Sequence, residues 1–209
     1  MKDHREELRA IYDKYALERD SNPIRDWKIA ERSGFLTLLQ REGKRSLLEL
    51  GSGTGRDGQF FQANGLEVTC IDLSPAMVEL CRQKGLNALV MDMTEIDLPD
   101  GAFDAVYSWN SLLHLAKKEI PKVLREMDRL LKPGGLGLIG VFGGYDFEGI
   151  YADDQYTPKR FFSFFTDEAV QEKVGSFFDI LAFRPVFYSW EGTLPLHFQS
   201  LTVRKKPGG

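Results

Sequence analysis

The stretch LLELGSGTG at 47–55 decides the fold. An apolar run of strand character passes directly into Gly51-x-Gly53-x-Gly55, and a helical pattern opens at Asp57. Glycine lets the backbone take left-handed conformations and approach another group closely. A helix N-terminus behind such a turn offers free N–H groups and positive potential. Alone, the turn has two readings of equal weight: a tight strand–helix connection, or a cradle for the anionic part of a ligand.

Working outward, strand and helix patterns alternate on both sides. Upstream, 4–19 carries a partial helical stripe (Leu8, Ile11, Tyr12, Tyr15, Leu17), Ser-Asn-Pro at 21–23 breaks it, and a second helix fits 24–41. Downstream, strands fit 66–72, 88–92, 103–109 and 136–142, with helices between them. Ser74-Pro75 starts one helix, Ser as cap and Pro at the first helical position; Gly85 stops it. A further helix covers about 117–131 and ends at Lys-Pro-Gly-Gly, 132–135. The two final strands, 177–188 and 197–206, have no helix pattern between them and are expected to pair antiparallel. The fold class is therefore α/β: a doubly wound, mostly parallel seven-stranded sheet with an antiparallel C-terminal hairpin and helices on both faces. The whole chain, 1–209, reads as one domain. The stretch 143–165 has no clean period, is rich in Gly, Asp and aromatics, and is expected to be a substrate lid.

Composition narrows the function. Hydrophobic residues make up 43% and charged residues 28% of 209, enough for a packed core. The net charge of -4 weighs against a nucleic-acid partner. No apolar run is long enough for a membrane span, and the charged start MKDHREELRA is unlike a secretory signal, so a cytoplasmic location is expected. Cys70 and Cys81 lack metal-site spacing, and no metal is expected.

Asp72 lies about twenty residues beyond Gly51, at the end of the second strand. A doubly wound fold places there the acid that holds ribose hydroxyls. Together the loop and the acid favour a nucleotide-like cofactor. The third glycine comes one place early for a dinucleotide fingerprint, because position 56 is Arg. A pyrophosphate fits poorly; an adenosyl ligand with a carboxylate fits better.

These residues resemble the first motif of the class I S-adenosylmethionine-dependent methyltransferases. CIDLSPAMVELC at 70–81 resembles the second, MDMTEIDLPDGAFDAVYSWNSLLHL at 91–115 the next two, and LREMDRLLKPGGLGLI at 124–139 the helix and strand that follow. The resemblance covers about 10–142 and implies S-adenosylmethionine as cofactor, S-adenosylhomocysteine as product and a small-molecule methyl acceptor. It implies that Glu49, Gly51, Ser52, Gly53 and Gly55 line the donor's amino-acid end, that Asp72 takes the ribose, that Leu73 packs on the adenine, and that Asp92 with Met93 accepts from the adenine amine. Ser108, with Trp109 and Asn110, ends the fourth strand, the position facing sulfonium and acceptor. Tyr12 and Tyr15 resemble aromatics that close over the cofactor. His114 is the candidate general base; its alternative is packing against the sheet while holding a backbone carbonyl. Methyl transfer from a sulfonium needs alignment and water exclusion more than a catalytic triad. Rival readings are a non-catalytic cofactor-binding module, a protein or nucleic-acid methyltransferase of the same fold, and a nicotinamide-dependent oxidoreductase.

Overall fold

The computed structural model describes residues 4–187 and 196–207. Its sheet strands are β1 (Ser46–Leu50), β2 (Glu67–Asp72), β3 (Asn87–Val90), β4 (Phe103–Trp109), β5 (Leu131–Gly143), β8 (Phe178–Val186) and β9 (His197–Lys205). Strands β6 (Phe147–Ile150) and β7 (Phe161–Phe164) form a separate hairpin. The large sheet has the order β3-β2-β1-β4-β5-β9-β8, parallel from β3 to β5. Strand β9 runs antiparallel to both β5 and β8 and sits between them. The seven-stranded sheet with its antiparallel end is the one the sequence predicts. Tyr188, at the end of the predicted sixth strand, lies outside the described residues.

Among the described residues the α-helices are α1 (His4–Lys14), α2 (Ala16–Ser21), α3 (Asp26–Arg41), α4 (Arg56–Ala63), α5 (Pro75–Gln83), α6 (Ile120–Leu130) and α7 (Asp167–Gly175). The predicted first helix is two helices, interrupted at Tyr15. Ser74 caps α5 by accepting from the Met77 N–H, and Thr166 caps α7 by accepting from Ala169. Lys132-Pro133-Gly134-Gly135 does not separate helix from strand as expected. It is an irregularity inside β5, whose pairing steps from Phe103–Leu131 to Ala105–Leu136.

Both faces of the sheet are covered, as a parallel sheet requires. The period of two divides the core: Leu48, Leu50 and Val106 pack on one side with α6, while Leu47, Phe61, Ala105 and Tyr107 pack on the other. Helix α6 presents Ile120, Val123, Leu124, Met127 and Leu130 to the first side at helical spacing. Burying each such side chain contributes about 1.5–3 kcal/mol.

The stretch 143–165 is more ordered than its lack of period suggests. Strands β6 and β7 pair antiparallel, from Phe147–Phe164 to Ile150–Phe161. Tyr151, Phe162, Phe164 and Phe165 are buried, with Tyr151 set edge-on against Phe162 and Phe164. Aromatic packing supplies the order that a binary pattern did not reveal.

Candidate active site

The sheet order reverses between β1 and β4, so a crevice opens beyond the carboxyl ends of these strands.

The glycine loop forms the floor. Gly51, Gly53 and Gly55 have φ of +69°, +54° and +77°. A Cβ on Gly51 would stand 2.4 Å from Cβ of Ser111, and one on Gly55 would stand 2.7 Å from Sγ of Cys81. A Cβ on Gly53 would meet nothing within 4 Å. Thus Gly51 and Gly55 are needed for packing, while Gly53 borders open space.

Asp72 closes one side of the loop. Its Oδ2 accepts from the Gly53 N–H at 2.8 Å and its Oδ1 from the Ser74 N–H at 2.9 Å. Burial raises its pKa to about 6 against these two donors. The acid is thus buried and tied to the loop, not a free carboxylate at a solvent-facing strand end. Glu49 is buried beneath the loop. Desolvation, with the charge of Asp57 acting in the same direction, pushes its carboxyl well above the usual range.

Two adjoining clefts meet at the crevice. The first, about 900 Å³ counted to its open mouth, is lined by Glu49, Gly51, Ser52, Gly53, Asp72, Leu73, Met93 and His114 among others. The second, about 1330 Å³ on the same measure, has walls that include Trp27, Phe142, Tyr151, Tyr156, Phe162 and Phe164. Arg19, Lys28, Arg56, Asp57, Asn110 and His114 belong to both.

Four predicted site residues do not line the first cleft. Gly55 sits over Cys81 at the N-cap of α4. Ser108 is fully buried and shares a 2.8 Å hydrogen bond with Ser111. Tyr15 packs edge-on against Tyr156 at 4.6 Å; Tyr12, one helical turn earlier, faces the cleft instead. Asp92 has left the strand that was predicted to carry it. Its Oδ1 accepts from the backbone and hydroxyl of Thr94, and its Oδ2 accepts from Arg5 at 2.8 Å.

His114 lies in a short 3-10 turn, Leu112–His114. Its Nδ1 stands 3.0 Å from the carbonyl oxygen of Phe161, which can only accept, so Nδ1 carries the proton. Its Nε2 therefore accepts, and Tyr12 donates to it at 2.7 Å. Arg160 in turn donates to the Tyr12 oxygen at 2.9 Å and holds Asp154 at 2.6 Å. Burial, reinforced by the Arg160 charge, lowers the His114 pKa to about 3, so the imidazole is neutral.

Sequence reasoning gave Asn110 little weight and passed over Lys28. Asn110 follows the last residue of β4 with φ of 59°, a left-handed conformation that asparagine adopts more readily than other non-glycine residues. Its Oδ1 is buried with no hydrogen-bond partner among the described residues, and the residue sits on the seam between the clefts. An unpaired buried acceptor at a strand end is the kind of strain that functional sites retain. No group of three or more His, Cys, Asp or Glu suited to a metal occurs among the described residues, and no helix among them is long and apolar enough to cross a membrane.

The first cleft has a lining that fits an adenosyl ligand. Gly53 leaves open space on the floor, and the Asp72 carboxylate, which already accepts from the Gly53 and Ser74 N–H groups, keeps a further lone pair on each oxygen for hydroxyl donors. Comparison with known proteins agrees: residues 47–135 match a family model described as a methyltransferase domain. Over this stretch the chain is similar to the methyltransferase-domain family, in line with the motifs that its sequence shares with the class I S-adenosylmethionine-dependent enzymes. Malonyl-(acyl-carrier protein) O-methyltransferase of Serratia marcescens is 35% identical over 123 residues, 58% of this chain and 44% of that protein. Phosphoethanolamine N-methyltransferase 3 of Arabidopsis thaliana is 32% identical over 113 residues, 50% of this chain and 22% of that protein. The chain thus aligns with less than half the length of these two methyltransferases. Among solved structures, 1,6-didemethyltoxoflavin-N1-methyltransferase of Burkholderia thailandensis, with 1,6-didemethyltoxoflavin and S-adenosylhomocysteine bound, superposes with a TM-score of 0.72 at 23% identity. That match covers 98% of this chain and 91% of the other, and at this identity it shows the shared fold.

Proposed function

We propose that this methyltransferase-family chain binds S-adenosylmethionine in the first cleft and transfers its methyl group to a small molecule held in the second. The observation that carries the reading is the shared seam. The glycine loop and Asp72 stand on one side, an aromatic-walled cleft stands on the other, and Asn110 and His114 lie between them. Bound there, S-adenosylmethionine would supply a methyl group on a sulfonium.

The chain's own residues then have distinct tasks. Gly51, Ser52, Gly53 and Glu49 hold the amino-acid end, and Asp72 accepts from the ribose hydroxyls. Leu73 and Met93 pack on the adenine side. Asn110 offers its unpaired oxygen at the junction. His114 is neutral but has both ring nitrogens engaged, so it is a base only if the acceptor displaces Tyr12. Its first role is to hold Tyr12 against the cleft. The hairpin of β6 and β7 roofs the second cleft, and the connection between its strands, which includes Tyr156 and Arg160, acts as the lid that excludes water. The malonyl thioester carrier and phosphoethanolamine named for the two relatives are consistent with a non-nucleic-acid acceptor.

Calorimetric titration with S-adenosylmethionine, S-adenosylhomocysteine and NAD tests the cofactor. Both adenosyl ligands are expected to bind and NAD is not; the reverse overturns the reading. Release of S-adenosylhomocysteine across a panel of amines, phenols, thiols and acids tests turnover. Binding without turnover by any acceptor would make the chain a cofactor-binding module.

A further inference from the structure

Arg19, Lys28 and Arg56 stand on the seam of the two clefts, and none has a carboxylate within ion-pair distance among the described residues. Arg19 donates to the Tyr156 hydroxyl at 2.9 Å, and Arg56 donates to the Asn22 carbonyl. The Lys28 ammonium makes no hydrogen bond among the described residues. The acids on the walls of the second cleft are already spoken for or open to solvent: Arg32 holds Asp57 at 2.7 Å, Arg160 holds Asp154 at 2.6 Å, and Asp153 is exposed. The balance left facing the second cleft is positive. Lys28 registers it: burial lowers its pKa to about 8, and Arg19, Arg25 and Arg56 push the same way against Asp57. A methyl donor with an amino-acid end brings one carboxylate and its own ammonium, so it leaves most of this charge uncompensated.

We infer that the methyl acceptor is an acid, a small molecule with an aromatic or apolar body and a carboxylate or phosphate group that is bound by Lys28, Arg19 and Arg56. Its body packs against Tyr151, Tyr156 and Phe162, the aromatic side of the same cleft. Guanidinium and ammonium groups in a desolvated cleft are strong partners for such anions. This inference rests on the second cleft being the acceptor site.

The test titrates the protein, saturated with S-adenosylhomocysteine, with benzoate, phenyl phosphate, benzyl alcohol and benzylamine, followed by NMR. At least one anion is expected to bind tenfold or more tighter than the alcohol, with the amine weakest; the ratio of the two anions distinguishes carboxylate from phosphate. Lys28→Met is expected to weaken the preferred anion at least tenfold, and Lys28→Arg to retain most of its binding. Equal binding of all four probes, or preference for the amine, overturns the inference. So does a Lys28→Met protein that loses S-adenosylhomocysteine affinity while keeping its anion preference, since Lys28 would then serve the donor. If S-adenosylhomocysteine does not bind the unsubstituted protein, the methyltransferase reading fails separately. The same probes on ligand-free protein then still decide the charge preference of the cleft.

Discussion

Tyr12 of α1 donates a hydrogen bond to Nε2 of His114 across 102 positions of sequence, at 2.7 Å. The contact ties the N-terminal helix to the end of the sheet and uses the lone pair that a general base would need. It also sets the chain's response to acid. Folded His114 takes a proton only near pH 3, whereas an unfolded histidine does so near 6.5. Between these values the unfolded chain binds more protons, so stability is full above pH 6.5 and falls as the pH drops toward 3. The slope is at most about 1.4 kcal/mol per pH unit. Melting temperatures of the native protein and His114→Gln between pH 7 and 4 check this. The variant is expected to lose less stability on acidification, and parallel curves would reject a neutral buried imidazole.

Gly51 and Gly53 are separated by two positions and should fail differently. In Gly51→Ala the new Cβ strikes Ser111 at a positive φ, so the expected result is loss of stability by roughly 2 kcal/mol or more. Gly53→Ala meets open space, so its stability cost is the backbone term alone, about 1–2 kcal/mol. Its added methyl group borders the cleft, and S-adenosylhomocysteine affinity is expected to fall at least tenfold. Denaturant melts and calorimetry on both variants decide the matter.

Asp72→Asn keeps an oxygen near the loop but loses the charge that accepts hydroxyl protons strongly. Affinity for S-adenosylhomocysteine is expected to fall more than tenfold, the measure of one or two charge-assisted hydrogen bonds at roughly 1.5–3 kcal/mol each. Asp72→Ala also leaves the Gly53 and Ser74 N–H groups without this acceptor, so it should lower the melting temperature as well. Unchanged affinity in a folded Asp72→Asn protein would reject the ribose assignment.

The lid is tested by hydrogen exchange. Amides of 152–159 are expected to exchange fast in the free protein and slow when cofactor and acceptor are both bound, whereas those of the β6–β7 ladder should be protected throughout. Protection of 152–159 equal to that of β1 and β4 in the free protein would make the connection a fixed wall.

How much of this was legible in the sequence differs by feature. Period and turn chemistry are local, so LLELGSGTG at 47–55, the Ser74-Pro75 start and the alternation of patterns led directly to the sheet. The hairpin at 147–164 was not legible, because its aromatics face one another across the turn and leave no simple alternation. Asp92 was misplaced by a strand read two residues too long, which hid its capping of Thr94. Lys28 was invisible for another reason: on a helix rich in charge, nothing local separates a lysine facing a cleft from one facing water.

The sequence by itself determined the order of the elements, the glycine floor and the acid opposite it. These depend on spacing and on residue types that work within a few positions. Only the tertiary structure decided the remainder: that Tyr12, His114 and Arg160 form one hydrogen-bonded chain, that Asp72 is buried, and that Arg19, Lys28 and Arg56 converge with no ion-pair partner among the described residues. Burial and charge balance are sums over groups brought together from distant parts of the chain, and they acquire values only once folding has removed the water between them.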